Sequence, residues 1–272
     1  MKKIVILIIS LYFNNGAYSQ TSEDYFNSGF VKDSLSDYDN AIQDFTRAID
    51  LNPNCTGCYI LRYNSQVKMD YYVGAIQDLS VLLDEFNQEH KFDFLYLERG
   101  RYKAKHKDYD EAINDFDIYI ELYPQKKDGY FNRGLTKFIL EDYKGTVIDM
   151  TKVIERNPKD DVAFYYRGCS KKELKDYRGA ILDFSKAIFL KPRNEEYYEK
   201  RIEVKALTTD FKAAIEDCNL LLKINPNNGK AYCGRGIAKI GLNQKDAGCL
   251  DLSKSGEMGF EKAYEIIEEY CQ

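Results

Sequence analysis

Cys55-Thr56-Gly57-Cys58 places two thiols at the spacing used by redox dithiols and by metal sites. A zinc site would need two further ligands, and none is close in sequence. The only histidines, His90 and His106, are sixteen residues apart and share no ligand spacing. A thioredoxin-like dithiol sits in a βαβ context, whereas this stretch joins two helical segments. It therefore reads as a local disulfide or a pair of thiols, with thiol–disulfide redox chemistry at Cys55 and Cys58 kept as the rival function. Nowhere does a Gly-rich loop run into Gly-Lys-Ser/Thr, and no strand is available to carry a nucleophile elbow. The expectation is a protein that is not an enzyme and that uses no cofactor and no metal. Of the remaining five cysteines, Cys218 stands at a core position as a small hydrophobe and Cys169 and Cys233 fall on predicted helices. Cys249 and Cys271 lie near the C-terminal end. An odd total leaves at least one thiol unpaired.

The elements that hold these residues follow a ruler. All five prolines, Pro53, Pro124, Pro158, Pro192 and Pro226, fall in register, the last four being 34 residues apart and the first gap 71. Between them the text repeats itself: "DYDNAIQDFTRAIDLNP", "DYDEAINDFDIYIELYP", "DYRGAILDFSKAIFLKP". Each period reads as two helices. An aromatic opens the first: Tyr25, Tyr59, Tyr96, Tyr130, Phe164, Tyr198 and Tyr232. The second starts at an Asp-aromatic pair such as Asp108-Tyr109, where the carboxylate can accept free backbone N–H groups. Apolar residues then recur at helical intervals, as in Ala112, Ile113, Phe116, Tyr119 and Ile120, until proline stops the helix. One such pair cannot bury its apolar faces, so neighbouring pairs must stack.

This pattern resembles the tetratricopeptide repeat family over residues 22 to about 259, with the family alanine at Ala41, Ala75, Ala112, Ala180 and Ala214 and its later aromatic at Phe45, Phe116 and Phe184. The resemblance implies an all-α, right-handed solenoid of seven helix-turn-helix repeats starting near 22, 56, 93, 127, 161, 195 and 229. A C-terminal capping helix over 260–272 closes it. Departures stand out. Arginine replaces the family leucine in six repeats, and lysine replaces the family tyrosine in six. Repeat two has Tyr63 for glycine and Asn87 for proline, and three extra residues in "NQEHKF" follow, which predicts a looser stack near 86–92.

The resemblance also implies that first helices line the concave side and bind a protein or peptide there. The expected groove comprises Phe26, Phe30, Asn64, Leu97, Arg101, Phe131, Leu135, Phe138, Tyr165 and Lys172. The lysine-and-asparagine clamp by which some relatives grip a C-terminal carboxylate is missing, the fifth positions being Phe26, Ile60, Leu97, Phe131, Tyr165, Glu199 and Cys233. The reading is a non-catalytic scaffold for a polypeptide partner, or a structural spacer in a cell envelope.

Charge excludes other partners. With 39 basic and 44 acidic residues interleaved and a net charge of -5, no basic stripe exists for nucleic acid. Lys2-Lys3, the apolar run Ile4 to Phe13 and Ala17-Tyr18-Ser19 have the layout of a secretory signal peptide. This predicts removal of residues 1–19 and an exported, periplasmic or secreted, protein with no membrane span. Export makes oxidation plausible, so Cys271 at the end of the closing helix is expected to reach Cys249. Finally, Arg62, Arg99, Arg133, Arg167, Arg201 and Arg235 recur at one first-helix position. Asp44, Asp78, Asp115, Asp149, Asp183, Asp217 and Asp251 recur at one second-helix position. Because repeat one has Ser28 in place of its arginine, the expected ladder joins each aspartate to the arginine of the following repeat, from Asp44–Arg62 to Asp217–Arg235. Asp251 is then left for the cap or solvent.

Overall fold

The computed structural model describes residues 20–271, with fifteen helices and no strand among the described residues. The expected signal segment, 1–19, lies outside the described residues. The chain divides after Leu95 into two compact units. In the first, α1 (Ser22–Ser34) packs on α2 (Tyr38–Leu51), α2 on α3 (Thr56–Lys68), and α3 on α4 (Tyr72–Asp84). The second unit begins one residue into α5 (Leu95–His106). It continues through α6 (Tyr109–Leu122), α7 (Lys127–Ile139), α8 (Tyr143–Arg156), α9 (Asp161–Glu173) and α10 (Tyr177–Leu190). Then come α11 (Glu195–Leu207), α12 (Phe211–Ile224), α13 (Gly229–Gly241), α14 (Lys245–Glu257) and the closing α15 (Lys262–Tyr270). From α6 onward each helix packs on the next, and the first helices α7, α9, α11 and α13 also touch in sequence. Each unit is a stack of helical hairpins. No helix among the described residues is long and apolar enough to cross a membrane.

Local chemistry explains where the helices start and stop. Asp142, Asp176 and Asp210 cap α8, α10 and α12, each accepting the N–H three residues on, at 2.9, 2.9 and 3.3 Å. Asp108, expected to do the same for α6, makes no side-chain cap bond. It is exposed to solvent. At Asp37 the carboxylate takes the amide of Asn40 at 2.9 Å instead. At the other end, Asn52, Asn157, Lys191 and Asn225 each precede a proline and adopt φ of -143°, -139°, -133° and -134°, outside the helical region. Clash with the proline ring forces that extension, and each second helix ends there.

Within each hairpin a left-handed residue reverses the chain: Ser36, Asp70, Lys107, Glu141, Lys175, Thr209 and Asn243, with φ between 56° and 73°. The following N–H reaches back to the first helix, as in Asp176 N–H to the Lys171 carbonyl at 2.8 Å. The core lies between the paired helices. In α10, Ala180, Phe184 and Ala187 are fully buried; Cys169 and Val204 from the flanking first helices cluster with Ala180 and Phe184. Repeat two lacks its proline. There Asn87 organises the connection after α4, accepting the Phe92 N–H at 2.7 Å and donating to Asp93 at 2.6 Å.

Candidate functional site

The recurring arginines come first, because they recur at one first-helix position. In every repeat that has one, the guanidinium grips the aspartate sixteen residues later in the same repeat. Arg167 Nε and Nη2 donate to Asp183 at 2.9 and 2.6 Å, and Arg201 does the same to Asp217 at 2.8 and 2.6 Å. Arg62–Asp78, Arg99–Asp115, Arg133–Asp149 and Arg235–Asp251 repeat the fork. The expected pairing with the preceding repeat's aspartate is therefore wrong. The reason is geometric: the tight left-handed turn folds the two helices of one repeat antiparallel, which brings residues sixteen apart face to face.

The arginine still reaches its neighbour, through its third nitrogen. Nη1 donates to an oxygen on the preceding second helix: Thr46 for Arg62, Asp117 for Arg133, Thr151 for Arg167, Ser185 for Arg201 and Asn219 for Arg235. A second cation joins each aspartate from the lysine four residues after the arginine position. Lys103, Lys137, Lys171, Lys205 and Lys239 lie 2.7–2.9 Å from their aspartates. Repeat one, without an arginine, holds Asp44 through Lys32 at 2.5 Å. These lysines were visible in the sequence as replacements of the family tyrosine, yet their role was not read.

Repeat two breaks the rule and shows its worth. Gln66 occupies the lysine position and is buried, with Oε1 left without a partner. Burial holds the Asp78 carboxyl above the ordinary aspartate range, with only Arg62 opposing it. At Asp251 burial also pushes up, but hydrogen bonds from Arg235 and Lys239 prevail and the carboxyl is lowered.

The glycine beside the arginine answers to the residue beside the aspartate. A Cβ on Gly168 would sit 2.9 Å from the ring of Phe184, so only glycine lets Arg167 and Asp183 close. In repeat six the glycine position is Ile202 and the aromatic position is Cys218, both in one core cluster. A large residue on one helix is matched by a small one on the other.

The expected groove residues divide between the units. In the first, Phe26 stacks on Phe45 with ring centroids 6.2 Å apart, Phe30 is 56% exposed and Asn64 is half-buried. In the second, Leu97 is buried, Phe131 and Leu135 pack against Met150, Val153 and Ala163, and Phe138 and Tyr165 pack against Phe184 and Val204. Tyr165 donates to Glu196; burial, then that carboxylate, pushes its hydroxyl up and keeps it protonated. Lys172 binds Glu203 at 2.8 Å, and Arg101 binds Glu98 at 2.9 Å and Asn132 at 3.4 Å. Much of the stripe is thus inter-helix packing. Arg101 and Leu135 do border an open cleft of about 570 Å³ between α5 and α7, with Ile139 57% exposed at its edge.

A second cleft, of about 610 Å³, was missed. Ile202, Ala206, Leu207, Ile237 and Phe260 line it, with Glu199, Lys200, Glu203, Lys230 and Lys262 also on its walls. Lys230 is tied to Glu199 at 2.8 Å. The first-helix positions involved are those of the expected stripe, carried on into repeats six and seven, where the sequence reading stopped short.

Cysteine chemistry is partitioned. Cys55 is joined to Cys58, and Cys249 to Cys271 with Cα atoms 5.8 Å apart. Cys169, Cys218 and Cys233 are free and buried, and burial raises their thiols to about 11, 12 and 11. They stay protonated and unreactive near neutral pH. Among the described residues no cluster of His, Cys, Asp or Glu is arranged to hold a metal ion.

A family model described as tetratricopeptide repeat matches residues 25–55. A search of curated proteins by sequence finds no match. Among solved structures, the C-terminal part of a repeat-containing protein of that class from Cytophaga hutchinsonii superposes with a TM-score of 0.73 at 19% identity, over 88% of this chain and 98% of that one. A tetratricopeptide-repeat protein from Parabacteroides merdae gives 0.60 at 20% identity, over 92% and 99%. YrrB, a tetratricopeptide-repeat protein with an unusual peptide-binding site, gives 0.56 at 16% identity, over 60% and 84%. At these identities the likeness is one of fold.

Proposed function

We propose that this chain, a tetratricopeptide-repeat solenoid, is a non-catalytic scaffold that binds a polypeptide on its first-helix face. The observation that carries the reading is the cleft between α11 and α13: an apolar floor with charged side chains around it, open to solvent. Such a floor suits apolar side chains of an extended or helical segment, and the charges suit its polar remainder. Leu207 is 56% exposed and Ile237 38%, so both are free to serve as anchors without holding the core. Phe131 and Leu135 are weaker choices for a test because their truncation would also loosen the core cluster around Met150. The protein works after export, on the strength of the basic-apolar-small layout of residues 1–19.

The test is quantitative capture of the partner from the envelope fraction by the full protein and by Leu207→Ser/Ile237→Ser. Central anchors contribute roughly 1–3 kcal/mol each, so the double variant should lose at least about tenfold in affinity. A folded double variant that captures the partner as well as the parent does refutes the assignment.

A further inference from the structure

We propose that the Cys55–Cys58 disulfide is an exchanging one, an oxidant for the dithiol of a polypeptide, whereas Cys249–Cys271 is a fixed staple. Three observations carry this beyond the binding role. First, Cys55 is the N-cap of α3, and its Sγ accepts the Cys58 N–H at 3.2 Å. Second, the same position in sister repeats holds an oxygen in the same role: Thr21, Asp160, Asn194 and Asn228 accept backbone N–H groups at 3.2, 3.1, 3.1 and 2.8 Å. At Asp160 a carboxylate fills the position, with Lys127 also bound to it at 2.6 Å. A disulfide sulfur is a poor acceptor there, and a thiolate a good one. The helix N-terminus therefore favours the reduced form, which makes a disulfide more oxidising. Third, access is unequal. Cys58 is fully buried while Cys55 is partly exposed, beside the half-buried Phe26 ring that lies over Gly57. Cys249 and Cys271 have no such setting, since Cys249 lies inside α14 and Cys271 follows the last turn of α15.

The exchange balances within one turnover. A substrate thiolate attacks Cys55 Sγ, the Cys55–Cys58 bond breaks, and its electron pair leaves on Cys58, which takes up a proton. The second substrate thiolate then attacks the substrate sulfur of the mixed disulfide. That bond breaks and its pair leaves on Cys55, held by the α3 N–H groups. The substrate loses two electrons and two protons as its disulfide forms; the Cys55–Cys58 pair gains both electrons and one proton, on Cys58, while Cys55 remains a thiolate and the second proton goes to solvent.

The full-chain protein is equilibrated with graded mixtures of reduced and oxidised glutathione, quenched in acid, alkylated and mapped by peptide mass. Cys55–Cys58 should open at a glutathione ratio at least tenfold more oxidising than Cys249–Cys271. Opening of both at one ratio, or of Cys249–Cys271 first, overturns the proposal. In a second arm, oxidised glutathione should cap Cys55 in the folded Cys58→Ala variant and leave Cys58 uncapped in Cys55→Ala. The opposite order overturns the assignment of Cys55 as the attacked sulfur.

Discussion

Arg167→Ala removes two hydrogen bonds to Asp183 and one to Thr151, in a place where the arginine side chain is 16% exposed and the aspartate 5%. Stripping one partner from a buried pair costs on the order of 3–5 kcal/mol, because the other charge is left without compensation. Here compensation is partial, since Lys171 stays 2.7 Å from Asp183. The expected loss for Arg167→Ala is thus about 3 kcal/mol, at the low end. Asp183→Ala is worse, at about 4 kcal/mol or more, because it leaves Arg167 and Lys171 facing each other with their shared anion gone. The decisive quantity is the coupling in a double-mutant cycle by urea unfolding, with m-values checked for a common transition. Arg167 with Asp183 should couple by about 2 kcal/mol or more. Arg167 with Asp149 should couple by less than about 0.5 kcal/mol, since each has its own partner. If Asp149 couples as strongly as Asp183, or if the Arg167–Asp183 coupling vanishes, the pairing within repeats is refuted.

Gln66→Lys should complete the one broken site and stabilise the protein by about 1–2 kcal/mol, the net value of a charge-assisted bond less the ordering of a lysine. Its pH signature follows from the raised Asp78 carboxyl: that group's stabilisation is present below its unfolded value and lost as pH rises through the folded one. In Gln66→Lys this loss should shrink, and urea midpoints between about pH 3 and 6 would show it; an unchanged profile counts against it. Thr209 is a β-branched residue at φ 56° and exposed, so Thr209→Asn should gain about 1 kcal/mol in a thermal or urea melt. Gly168→Ala should cost about 1–3 kcal/mol despite better helix propensity, and Phe184→Leu in the same chain should recover part of that loss. Additivity of those two changes would mean that Gly168 and Phe184 do not compete for one space.

The sequence revealed most where one side chain decides. Proline in register with an extended residue before it marks the end of a helix, and the structure ends α2, α8, α10 and α12 at those places. The recurring arginine and aspartate were legible as partners by their matched repetition. Which aspartate belonged to which arginine was not, because that depends on the turn angle between two helices, and Ser28 pointed to an inter-repeat pairing that Lys32 makes unnecessary. The aromatic stripe misled differently: a helix period tells which residues share a face, yet α7 and α9 offer a neighbour on that face, so Phe138 and Tyr165 turn inward against Phe184 and Val204. The stripe stays open at Arg101, Leu135 and Ile139 between α5 and α7, and its continuation stays open between α11 and α13.

Because each arginine finds its aspartate inside its own 34-residue period, the buried fork is complete within every block that has one. A tandem duplication or loss of a whole block would carry that fork along intact, and the ion pairs cut at the junction, such as Lys172–Glu203 and Lys230–Glu199, lie nearer the surface. The link that does cross to the previous block asks only for an oxygen, and threonine, serine, asparagine and aspartate all supply one. Such an array can change its length by whole periods without parting an arginine from its aspartate.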